Sequence, residues 1–199
     1  MVDFYAVGID DVRDMFGADE SLSAELTTAA RAAFPDPPER RRSFLPLMRR
    51  APGSTIDTNL PSSDDLSILL SGGYIAPDRM RASWRLFHVL LDHRSSAHIR
   101  SEISADELDA AEFDLARHGL DSFYSLRKLG ERQLGIPLRT LEGQLAGYAK
   151  HIHVLETAAA LRGVVDVVEA STRTIVNEVL GMCDVVASDD RLDLVVLDL

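Results

Sequence analysis

The apolar positions change period several times along the chain, and each change marks an element. Phe4-Tyr5-Ala6-Val7-Gly8-Ile9 is an unbroken run rich in aromatic and β-branched residues, which predicts a strand. Leu192, Leu194, Val195, Val196 and Leu197 predict a closing strand that pairs with the first. Between these ends the spacing is helical. Asp10 or Asp11 caps a short helix that stops at Gly17, and Asp19 caps one carrying Leu22, Leu26, Ala29, Ala33 and Phe34 as far as Pro35. Ser63-Asp64-Asp65 caps a helix through Leu70, closed by Gly72-Gly73. Pro77 starts another, on which Met80, Trp84, Phe87 and Leu91 form one stripe. Ser104-Ala105-Asp106-Glu107 fits a capping box, followed by Leu108, Ala111 and Leu115 before Gly119. Asp121 opens a further helical stretch through Phe123, Leu126 and Leu129.

The longest series is Leu138, Leu141, Leu145, Tyr148, Ile152, Leu155 and Ala159, which predicts one amphipathic helix from just after Pro137 to just before Gly163. A second series runs Val165, Val168, Thr172, Ile175, Val179, Met182 and Val186, with a strand at 164–168 as the alternative. Such stripes are normally the core face of a bundle, and they also offer residues 137–187 as a surface for self-association. The expected fold is therefore α+β and predominantly helical: a helix bundle with a small sheet formed by N- and C-terminal strands, residues 1–199 making a single domain. Within it, segment 35–63 is irregular and rich in proline and arginine, with Pro35, Pro37, Pro38, Pro46, Pro52 and Pro61.

Composition narrows the function more than the fold. With 46% hydrophobic and 27% charged residues the chain is globular, not disordered. A net charge of −11 disfavours nucleic acid and favours encounter with a basic protein. The charge comes in blocks. Residues 101–126 carry seven acids against Arg117, while residues 127–150 carry five cations against Glu131 and Glu142. Such blocks can also pair with one another inside one fold. No stretch approaches a membrane span, no basic n-region opens the chain, and Cys183 has no second cysteine to bridge, so a cytoplasmic protein is expected.

The sequence carries charged surfaces and no reactive motif. His88, His93 and His98 are spaced by five, about 140° apart on a helix, which makes no ligand face. Cys183 falls on an apolar face among Gly181, Met182 and Val186 and is expected to be packed and inert. Ser71-Gly72-Gly73-Tyr74 lacks the lysine of a phosphate loop and reads as a helix-ending turn. No catalytic residue, metal site or cofactor is assigned. Two clusters remain. Asp106, Asp109 and Glu112 on the acidic helix are the candidate partner contacts, and Arg40, Arg41 and Arg42 are a candidate anion site.

Tyr5-x-Val7-x-Ile9, then Val12-Arg13 and Phe16-Gly17, together with Trp84 and the stretch Leu145, Tyr148, Leu155 and Ala158-Ala159-Ala160, resemble the YfbM-like family and related small bacterial proteins. That resemblance implies a mixed, helix-dominated α+β fold and supplies no activity; some members of such families look like immunity proteins. The leading expectation is a non-enzymatic protein-binding module, immunity- or antitoxin-like, that neutralises a basic partner. One alternative is a small-molecule enzyme or sensor with a pocket near Trp84 and the arginine cluster. The other is a structural, oligomeric interaction protein.

Overall fold

The strand expected at the N-terminus forms as β1 (Val2–Val7), and all six of its residues are buried. The computed structural model describes residues 1–35 and 59–198. Both faces of β1 are covered, which is why residues 4–7 run apolar without alternation. The chain then enters α1 (Ile9–Asp14), α2 (Glu20–Ala33), α3 (Ser63–Leu70) and α4 (Met80–Arg94). Strand β2 (Ala97–Ser101) and α5 (Ala105–Arg117) follow, then two 3-10 turns at Ser122–Tyr124 and Leu126–Gly130. Strand β3 (Ala146–Ala149), α6 (His151–Val164), α7 (Ala170–Ala187) and β4 (Asp193–Asp198) complete the order. The four strands make one antiparallel sheet in the order β2-β1-β4-β3, with Val2 opposite Asp198 and Val7 opposite Asp193. The fold is thus α+β and mainly helical, its sheet built around the paired N- and C-terminal strands.

The pleat divides the core in two. Tyr5, Val7, Val195, Leu197 and Tyr148 point to one side and pack with Leu26, Leu69, Trp84 and Phe87 of α2, α3 and α4. Phe4, Ala6, Leu194, Val196 and Ala149 point to the other and pack with Leu115, Leu161, Val176 and Cys183 of α5, α6 and α7. The sheet is therefore the middle layer between two helical layers, each burying one of its faces.

Local capping signals place the starts of α2, α3 and α5. The Asp19 side chain accepts from Leu22 N at 2.8 Å, and the Ser104–Glu107 capping box closes in both directions. A second box starts α3, at Ser62 with Asp65, one residue before the expected cap. Gly8, rather than Asp10 or Asp11, occupies the cap position of α1, because β1 ends at Val7 and Ile9 already belongs to the helix. The stretch from Asp121 condenses into the two 3-10 turns rather than a helix.

The chain departs furthest from the helical spacing at residues 138–149. Where the spacing predicts the first half of a long helix, the chain makes turns, with Gly143 at φ +76, and then β3. Leu138 and Tyr148 bury into one core cluster, whereas Leu145 packs on the other, so their three-and-four spacing reflects two destinations and not one helical face. Residues 165–168 are a turn rather than a strand, and α7 begins only at Ala170. The two helical series offered as a self-association surface over 137–187 are accordingly turns and a strand followed by two helices. Among the described residues no helix is long and apolar enough to cross a membrane.

Candidate functional site

Helix α5 carries the candidate partner contacts, and its packing sorts them into different roles. Leu108 and Leu115 pack into the core, and Ala111 is buried beside them. Glu112, on one flank, accepts a hydrogen bond from Arg127 N at 2.8 Å, and Arg127 also pairs with Asp109 through its guanidinium. Burial pushes the Glu112 carboxyl above its ordinary range despite the bond from Arg127. Glu112 thus fastens the Leu126–Gly130 turn to α5. Asp114, on the other flank, is 4% exposed and accepts from Glu169 N at 2.8 Å, at the cap of α7. Arg117 bridges Asp114 and Glu169 beside it. Acidic and basic blocks therefore do pair across these elements.

What stays outward is a stripe of Asp106, Asp109, Ala110 and Phe113, all exposed. Asp106 stands without a hydrogen-bond or ion-pair partner among the described residues, while the charge of Asp109 is shared with Arg127. Phe113 is 72% exposed. The charge pattern points to Asp106, Asp109 and Glu112 and gives no weight to Phe113. The wheel held the signal, since Phe113 lies about 140–200° from Leu108, Ala111 and Leu115 at 100° per residue. Opposite the core stripe, the ring is left uncovered by the described residues. The candidate anion site, Arg40, Arg41 and Arg42, lies outside the described residues.

The second polar assembly lies where β1, β2 and α4 meet. The His98 ring stacks on Tyr5 with centroids 4.2 Å apart. Its Nε2 lies 2.7 Å from Asp3 Oδ1 and its Nδ1 lies 2.8 Å from Asp92 Oδ1. Arg100 Nε donates to the same Asp3 oxygen at 2.8 Å. Asp3 is 3% exposed. Burial alone would raise its carboxyl, yet the hydrogen bonds from Arg100 and His98 outweigh it and hold the group below the usual carboxylate range. Beneath them the Tyr5 hydroxyl meets His88 Nδ1 at 2.9 Å, and His88 Nε2 is buried with no hydrogen-bond partner among the described residues. The cluster ties the edge strand β2 to β1 and α4.

Desolvation lowers the His88 pKa from 6.5 to about 4. The unfolded chain takes up this proton near pH 6.5 and the folded one only near 4, so the contribution is complete above 6.5 and drains away as pH falls toward 4. Between pH 7 and pH 4.5 wild type should lose about 2 kcal/mol relative to His88→Asn, which keeps an acceptor for Tyr5 and does not titrate. Urea denaturation of both chains across that window measures the difference. Parallel pH curves would show that His88 is not the responsible group.

Other candidates resolve into structure. Cys183 is buried at 1% exposure and its thiol is pushed up to about 12 by desolvation, so it is a packed side chain. Among the described residues no three His, Cys, Asp or Glu side chains gather as a metal site. A cavity of 1080 Å³ opens between α2, α3 and Arg79, with Phe34, Leu66 and Leu70 in its wall. Trp84 is buried in the core with Nε1 donating to the Arg139 carbonyl, and it does not line that cavity.

No family model, no curated protein and no solved structure matches the chain.

Proposed function

We propose that this chain is a non-enzymatic protein-binding module that captures a basic partner across the outward face of α5. The observation that carries this reading is Phe113, 72% exposed on a helix whose outward stripe also carries Asp106 and Asp109. A large exposed aromatic beside carboxylates is the composition of a docking surface, the ring supplying buried area and the charges steering encounter. A net charge of −11 supports a cationic partner over an anionic one. A partner that is harmful alone would make this an immunity- or antitoxin-like protein, as the YfbM-like resemblance suggests.

The test is capture from the native host at low and moderate salt, followed by affinity measurements on the purified pair. Asp106→Lys should weaken binding about fivefold and flatten its salt dependence. Glu112 is left intact in this experiment because its carboxylate holds Arg127 N. Equal affinity for wild type and Asp106→Lys, at both salt concentrations, would remove α5 as the contact face.

A further inference from the structure

We propose that the Phe113 ring is a platform for a cationic side chain, and that the occupant of this face is a basic helical segment with two cations about seven residues apart. This rests on the α5 reading above and names the chemistry of its partner. A phenyl ring binds a guanidinium or ammonium over its face through the ring quadrupole. Three features leave that position open among the described residues. The neighbours of Phe113 at i−3 and i+3 are Ala110 and Ala116, too small to lie across the ring. Arg117, at i+4, has its guanidinium drawn away to Asp114 and Glu169. Arg127 is likewise committed to Asp109. The cation–ring contacts found among the described residues, from Arg13 and Lys150, both fall on Tyr148.

Asp106 sets the second half of the pattern. It precedes Phe113 by seven residues, so the two lie on nearly the same side of the helix, about 10 Å apart along its axis. Asp106 is the carboxylate of the stripe with no cation of its own among the described residues, since Asp109 already holds Arg127. A helix lying along α5 and carrying arginines seven positions apart would set one guanidinium on the ring and the other on the carboxylate. Placed four positions apart, about 6 Å along the axis, the same two arginines reach both only by splaying their side chains, at a cost in rotamer freedom.

Two amidated, alanine-based helical peptides of identical composition serve as probes, one with its arginines seven residues apart and the other with them four apart. Binding to the full chain is measured by fluorescence anisotropy, and its location by amide chemical shifts. The seven-residue isomer should bind about threefold more tightly, with the largest shifts over residues 106–117. Phe113→Leu, a change on an exposed helix face, should weaken that isomer about two- to fivefold, and Phe113→Tyr should not. Equal binding of the two isomers, or binding unaffected by Phe113→Leu, overturns the proposal. Weakening by Asp106→Lys without any by Phe113→Leu overturns it while leaving the acidic contact face in place; weakening by neither removes both. Dimerisation of the free chain that Phe113→Leu abolishes would assign the face to a second copy and overturn it as well.

Discussion

Replacing Gly147 with alanine should cost at least about 3 kcal/mol and lower Tm by roughly 6–12 °C, though it adds a single methyl group. The reason is space. A Cβ at Gly147 would lie 1.9 Å from the Gly130 carbonyl oxygen, 2.6 Å from its carbon and 2.7 Å from the Arg132 oxygen. These atoms are backbone, so no side-chain rotation can relieve the contact. The strand and the turn must separate, and with them goes the bond from Tyr148 N to Arg132 O at 2.9 Å. Separation would also lift Leu129, which is fully buried, away from the sheet. Gly163 and Gly181 are the controls. Both lie inside helices with open space where a Cβ would go, so alanine there should stabilise by about 0.5–1 kcal/mol. Calorimetry on the three variants checks the contrast, and a Gly147→Ala midpoint within a degree of wild type would refute the close approach.

The contrast between α5 and β3 shows which parts of the fold are legible in sequence. Ser104 and Glu107 specify the start of α5 by bonds that span three residues, and such local chemistry can be read off directly. Strands β1 and β4 are legible because burial on both faces makes each an apolar run. Residues 138–149 mislead because Leu138, Leu141, Leu145 and Tyr148 are apolar for separate reasons, in two different core clusters. The glycines at 143 and 147 are the better guide there, one taking a positive φ and the other admitting a neighbouring backbone. Strand β2 leaves little trace, since Ala-His-Ile-Arg-Ser is half exposed and its His98 and Arg100 serve Asp3 instead of a core.

The candidate site divides in the same way. Asp106 and Asp109 were visible as carboxylates one turn apart. That Arg127 takes up Asp109, and that Glu112 holds the turn beyond α5, depends on chain more than a dozen residues away. Helical spacing tells which side chains share a face; it does not tell which of them the rest of the fold has already engaged.

Long-range satisfaction of this kind carries the second large prediction. Asp193→Ala should destabilise the chain by about 3 kcal/mol, because one buried carboxylate caps two helices at once. Asp193, at the start of β4, is 5% exposed. One of its oxygens accepts from Ile9 N at 3.0 Å, the first amide of α1, and the other from His151 N at 2.9 Å, the first amide of α6. Neither helix has a side-chain cap of its own, since Gly8 and Lys150 occupy those positions. Removing the carboxylate leaves two helix amides unpaired at about 1–3 kcal/mol each and withdraws a negative charge from two positive helix ends. Asp193→Asn should fall between the alanine variant and wild type, because the amide can accept one of the two bonds and must set its NH₂ against the other donor. Lys150 approaches the same carboxylate at 3.3 Å from a side chain 41% exposed, so Lys150→Met should cost under about 1 kcal/mol. Urea denaturation of the three variants gives the order. An Asp193→Ala chain as stable as Lys150→Met would mean that the two amides find other partners, and the double cap would have to be abandoned.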